Sequence, residues 1–378
     1  MTAAGLIFTN IHDGNLSELT SRRTMASVPF GCRYRLIDFA LSNMVNSGIS
    51  NIGIITRNNY RSLLDHIGSG TDWDLARRSG GIKTIAPFVT SYDGEGDNVK
   101  LAGSRLESLK GAVNFISRAK EEYIALSDCD VICNIDISDM LRYHAENNAD
   151  ITFAVKELDT GEHELTRRVR VVQSDENNKI VSIAPYLNQR GRIKVSTNVI
   201  VMKRTLLYAL VLDAQNNCYT DFYHDIIVRN LRRLNIAAYN YDGYYSLISN
   251  LSGYFNCNMK LLEKGAREEL FGILSRPIYT KVKNSPPTKY CSGSRVENSL
   301  IADGCVIKGR VENSILFRGV TVGEGSVVKN CILLQDTSVG ERVKLNSVIA
   351  DKNAVIKDER TLSGHGSMCF FIDKGISV

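Results

Sequence analysis

The 378-residue chain is 43% hydrophobic and 23% charged, a balance that suits a folded globular protein and excludes a disordered one. No apolar run approaches the roughly 20 residues that a bilayer span requires. A net charge of +5 is too modest to indicate nucleic acid and equally suits phosphorylated metabolites. The length is about twice that of one compact domain, so two units are expected.

Met1 to Phe8 is apolar, turns polar at Thr9 and Asn10, and lacks a basic leader. It reads as a first strand and not as a signal peptide, and the expected location is the cytoplasm. Residues 1–265 then alternate short apolar runs with amphipathic stretches, the pattern of a Rossmann-like α/β domain with a parallel sheet. Strands are expected at Leu6–Phe8, Ile52–Ile55, Tyr123–Leu126, Ile151–Val155 and Asn198–Met202. Leu41, Met44 and Val45 form a helical face ended by Gly48, and Leu109, Ala112, Val113 and Ile116 form another. Ligands in such open sheets bind outside the carboxyl ends of the strands.

Residues 266–292 contain Pro277, Pro286 and Pro287 and read as a linker. From 293 to 378 the texture changes. Val296, Ile301, Val306, Val311, Leu316, Val322, Val327, Ile332, Val339, Val343 and Val348 recur mostly at five- or six-residue steps, with Gly, Asn, Asp and Ser between them. That period is too long for a strand or an amphipathic helix, and it predicts a three-sided parallel β-helix; short antiparallel strands are the alternative. Such a solenoid hints at an oligomer through the apolar surface of its coil faces.

Nine cysteines, an odd number scattered through the chain, read as small core residues in a reducing compartment. Cys129 and Cys133 have no second pair or histidine at a zinc spacing, so no metal site is expected from them. Arg22, Arg23, Arg33 and Arg35 place four guanidinium groups between Glu18 and Asp38 with no acid among them. Their planar forks suit phosphate oxygens; a solvated basic loop, or pairing with carboxylates from elsewhere in the fold, is the plainer alternative. Asp130 follows the strand at Tyr123, where a metal or phosphate ligand is usual, although a lone Asp is more often a cap or turn residue.

The run Val28 to Asn43 with Asn46 to Gly48, the segment Trp73 to Gly81, and the tail stretches 298–307, 312–320 and 322–330 resemble the ADP-glucose pyrophosphorylase (glucose-1-phosphate adenylyltransferase) family over nearly the whole chain. The resemblance implies a nucleotidyltransferase domain followed by a left-handed β-helix, a tetramer, and control by sugar phosphates. It marks Asp130 as a residual catalytic residue, Trp73, Gly103 and Ser196 as vestigial substrate contacts, and the region of Arg33 as an effector site.

The departures from the family pattern fall on phosphate-gripping positions. Its G-G-x-G-x-R-L loop is replaced by Asn10 to Leu16, with Asn15 in the place of the arginine; its Lys-Pro pair is Met25-Ala26; its Glu-Lys-Pro signature is Ile183-Ala184-Pro185. Of its two metal-binding aspartates one matches Asp130 and the other falls on Leu247, so Mg²⁺ is expected only if the chain is catalytically active. The pattern resembles the non-catalytic D-type subunit of Gram-positive bacteria, which implies a catalytic ADP-glucose pyrophosphorylase subunit as partner and a phosphorylated metabolite as effector. An active adenylyltransferase is the alternative. A β-helix acyltransferase is disfavoured, since none of the six histidines lies between 293 and 358.

Overall fold

The strand Ala3–Phe8 is buried throughout and lies between Tyr123–Asp128 and Asn51–Ile55, both parallel to it. It thereby forms the middle of a sheet that ends on one side at Gly81–Ile85. The computed structural model describes residues 1–11, 13–86, 104–161, 165–364 and 368–378, with the side chain of Asn15 also left aside. On the other side the sheet is mixed. Arg192–Lys203 runs antiparallel to both Tyr123–Asp128 and Ile151–Asp159, so the expected parallel arrangement holds at the centre of the sheet and gives way to antiparallel pairing on this side. The chain between Ile151–Asp159 and Arg192–Lys203 folds as the antiparallel pair Arg170–Ser174 and Ile180–Pro185; a parallel return would need a crossover, usually a helix.

The helix Leu36–Asn46 buries Leu36, Ile37, Leu41 and Met44, and the chain leaves it through Gly48 at φ 76°, as the sequence suggests. The second expected helix is two, Arg105–Gly111 and Val113–Arg118, separated at Ala112. Gly111, a weak helix former, precedes the break. The helix Lys264–Phe271 carries Ala266 and Leu270 into the core of the sheet domain. It thus runs past the expected break at 265, and the first coil strand, Lys289–Tyr290, starts ahead of 293.

Three five-stranded parallel sheets make the three sides of the C-terminal left-handed β-helix. Register advances by 17 residues over most coils, as in Ile315 to Ile332 to Ile349. Alternation along each short strand divides the apolar residues between two places. Leu316, Leu333 and Ala350 fill the β-helix interior, whereas Ile315, Ile332 and Ile349, with Phe317 and Leu334, join the core cluster of the sheet domain. One apolar coil face is therefore covered by this chain itself. The linker is fastened to the sheet domain as well: the Tyr279 N–H donates to Ser42 Oγ at 2.9 Å, and Asn46 Nδ2 donates to the Pro277 carbonyl at 2.9 Å. Among the described residues no helix is long and apolar enough to cross a membrane.

Candidate functional site

Two clefts collect the chemistry-bearing side chains. The first lies at the carboxyl ends of the central strands. There Asp128 ends its strand, Asp130 follows it, and Arg105, at the start of its helix, reaches across to Asp128 with Nη2 2.5 Å from Oδ2. Both side chains of that pair are nearly fully buried. The Arg105 guanidinium carbon lies 5.4 Å from the ring centroids of Phe8, Phe222 and Tyr223, a cage suited to a cation. Burial by itself would depress the Arg105 pKa, but Asp128, with smaller contributions from Tyr223 and Asp130, outweighs it and holds the group above its ordinary value. Arg170 stacks on Tyr223 at 4.7 Å, so the tyrosine ring contacts two guanidinium groups. The remaining cavity, lined also by Ser104, Arg168 and Asn198, measures about 200 Å³, less than the roughly 300 Å³ at which ligand pockets usually begin.

The loop after the first strand is closed by its own side chains. Asp13 accepts the Met25 N–H at 2.7 Å and the Asn10 amide at 2.5 Å. Asn10 Oδ1 accepts the Arg57 N–H at 2.9 Å. One backbone donor beside the loop, the Met25 N–H, is thus engaged by a carboxylate, which would also repel a polyphosphate. Nearby, Leu247 pairs with Val131 across a two-stranded ladder, and the Ile248 N–H donates to the Asp130 carbonyl at 2.9 Å. The fold thus brings the positions of Asp130 and Leu247 together, but one of them bears an apolar side chain. With Asp128 committed to Arg105, these residues do not fit a two-carboxylate Mg²⁺ site, and no step is assigned to a metal.

Ser196 is buried in its strand, and its hydroxyl accepts the Asn198 N–H at 3.1 Å beside Tyr223. Gly103 lies outside the described residues. Trp73 is 1% exposed, packs edge-on against His66 with centroids 5.6 Å apart, and lines neither cleft. The glycines after it are structural too: Gly80 has φ 85°, and a Cβ there would lie 2.9 Å from the Ser50 carbonyl.

The second cleft is the seam between the sheet domain and the β-helix. It is lined by Arg33, Arg35 and His66 from one side, Lys281 and Lys283 from the linker, and Phe317, Arg318, Gln335 and Lys352 from the coils. Among the described residues no carboxylate lines it. Its enclosed part, about 40 Å³, is about three waters' worth and suits a phosphoryl group rather than a nucleotide. Arg35 Nη1 is anchored on Ser62, donating to its carbonyl at 2.6 Å and its hydroxyl at 2.9 Å. Burial, aided by Arg23, pushes the Arg35 pKa down to about 10 against the opposing pull of Asp38. His66 is held below its usual value by burial, against the Asp38 carboxylate 2.6 Å from its Nε2.

Of the four arginines singled out in the sequence, Arg33 and Arg35 line this seam. The other two do not. Arg23 is buried in an ion pair with Asp351 of the β-helix at 2.6 Å, so its charge is neutralised at the domain interface. Exposed Arg22 lies 3.8 Å from Asp373. Sequence reading missed Arg318, Gln335 and Lys352. Their signal is the 17-residue coil step, which stacks these three positions on one corner of the solenoid. It also missed Arg105 and Asp13.

Two family patterns match this chain, Nucleotidyl transferase over residues 14–188 and GlmU-like, C-terminal hexapeptide over residues 286–365. The glycogen biosynthesis protein GlgD of Bacillus subtilis (strain 168) is 32% identical over 98% of this chain and 96% of its own length. GlgD of Geobacillus stearothermophilus is 35% identical over 86% and 82%. The glucose-1-phosphate adenylyltransferase of Bacillus cereus (strain Q1) is 33% identical over 91% and 90%. With identities of this size along nearly the full length, and with both halves of the fold accounted for, the chain belongs to the ADP-glucose pyrophosphorylase (glucose-1-phosphate adenylyltransferase) family and resembles its D-type members.

Proposed function

We propose that this chain is a regulatory subunit of ADP-glucose pyrophosphorylase in glycogen biosynthesis, with little or no turnover of its own. It modulates a catalytic partner, in a cytoplasmic hetero-oligomer, that makes ADP-glucose and pyrophosphate from ATP and glucose 1-phosphate. The observation that carries this reading is the state of the first cleft: Arg105 bound to Asp128 where a substrate would lie, and Leu247 where a second carboxylate would complete the site with Asp130. Asp13 on the loop adds a like charge toward polyphosphate. Each of these removes a stabilising interaction for phosphoryl chemistry, and one lost transition-state donor alone costs about a hundredfold to a thousandfold.

The second cleft supplies the regulatory part. Arg33, Arg35, Lys281, Lys283, Arg318 and Lys352 crowd positive charge in a narrow seam, and a phosphorylated metabolite relieves that repulsion while bridging the two domains. The test is turnover of ATP and glucose 1-phosphate by the isolated chain beside a catalytic relative. A rate at least about a thousandfold lower is expected. Comparable turnover would establish the catalytic reading instead, with Asp130 and Ser196 as its residues.

A further inference from the structure

Lys352 occupies an unusual position in the seam. Its own backbone N–H donates to Asp351 Oδ1 at 2.7 Å, while Asp351 Oδ2 accepts Arg23 Nη2 at 2.6 Å. That carboxylate is therefore occupied by the domain contact, and it is the acid next to the lysine in the chain. The other lining elements supply mostly cations: Arg33 and Arg35 from the turn and strand pair of Pro29 to Arg35, Lys281 and Lys283 from the linker and Arg318 from a neighbouring coil, beside His66 and the uncharged Gln335. The acids behind them have other partners. Asp303 takes Arg318 Nε at 3.0 Å, and Asp38 takes His66 and the Arg35 N–H. Asp336 acts on Lys283.

We infer that Lys352 takes up a proton from solvent when a phosphate-class dianion enters the seam, so that occupancy of this cleft is coupled to pH near neutrality. The inference rests on the reading of the seam as an anion site. Without an anion to balance them, the fixed cations of the seam make a further ammonium costly. Burial first, then Arg35 and Arg23, push the Lys352 pKa down to about 7, with Asp351 opposing. A bound dianion reverses the local field, and the neutral amine with one proton becomes an ammonium that donates to it. His66 and Lys283, both held below their ordinary values by burial, also line the cleft, and the test separates them from Lys352.

Sulfate is the probe, because its charge does not change near neutrality. Its affinity for the full chain, measured by calorimetry, should fall about tenfold or more between about pH 6.5 and 8.5. The heat should differ between buffers of unlike ionisation enthalpy, reporting a proton taken up. Lys352→Arg, permanently charged, should bind sulfate with little pH dependence and no uptake. Lys352→Met should bind weakly at every pH, also without uptake, and it serves if the arginine does not fit. Uptake that persists in both variants assigns the proton to another group, such as His66, and overturns the inference. So does a pH-independent affinity in the unmodified chain, which would leave the anion site standing. Absence of sulfate and glucose 1-phosphate binding to the seam at any pH would overturn the anion site together with the inference.

Discussion

Arg23 donates to Asp351 at 2.6 Å across the boundary between the sheet domain and the β-helix, and the two side chains are 4% and 2% exposed. The same carboxylate accepts the Lys352 N–H, so one ion pair both fastens the domains and sets where Lys352 stands in the seam. Removing one member leaves a buried charge without its partner. Arg23→Ala should cost about 3 to 5 kcal/mol, whereas the joint Arg23→Met, Asp351→Leu replacement should recover much of that loss. Denaturant unfolding of the three proteins checks it, and a joint variant as unstable as the single one would contradict the assignment.

Arg33 and Arg35 border the seam, while Arg22 lies outside it. Arg33→Ala should weaken the response to a phosphorylated effector by about tenfold or more, the size of one charge-assisted hydrogen bond. Arg22→Ala should leave it unchanged. Activation curves of the assembled oligomer, with sizing of the same samples, distinguish this from an assembly defect.

The Lys352 pKa is lowered to about 7 in the folded chain, below its unfolded value near about 10.4. Between those two values the unfolded state binds more protons, so this group makes stability rise with pH across that window and contributes no slope below it. Unfolding free energies measured at several pH values above about 7 should therefore show a positive slope that Lys352→Met removes. An equal slope in the variant would count against the buried, cation-surrounded lysine.

Leu247 stands beside Asp130 on the facing strand. Leu247→Asp should give a second carboxylate and raise Mn²⁺ affinity by about tenfold or more, read by electron paramagnetic resonance. It should not restore turnover, because Asp13 and the Arg105 pair remain in place. Arg105→Ala alone should destabilise by about 3 to 5 kcal/mol, since it leaves Asp128 buried without its cation.

How far the sequence carried these points depends on the range of the interaction. The β-helix was legible because apolar residues recur locally at five- or six-residue steps, and Ile307, Val322 and Val339 stack in register on successive coils. The loss of the family's glycine pattern and arginine in the loop after the first strand, which keeps only Gly14, was legible too, since the motif is contiguous. That Asp13 fills the loop was not, because its partner Met25 is twelve residues away. The four arginines look alike in sequence and were separated only by the fold: Asp351 is 328 residues from Arg23. The segment around Trp73 is distinctive in sequence, but that its glycines form a turn leading into the edge strand Gly81–Ile85 shows only in the fold. Arg105 carried no local sign at all, since what defines it is a ring of Phe8, Phe222 and Tyr223 drawn from distant segments.

The most direct test of the regulatory account is the kinetics of this chain co-purified with a catalytic subunit from the same organism, set against that subunit alone across a titration of sugar phosphate. The account predicts a joint oligomer whose rate or effector response differs from that of the catalytic subunit, with the difference lost on Arg33→Ala while the oligomer persists. Separate elution of the two chains at micromolar concentration, or kinetics identical to those of the catalytic subunit alone, would contradict it.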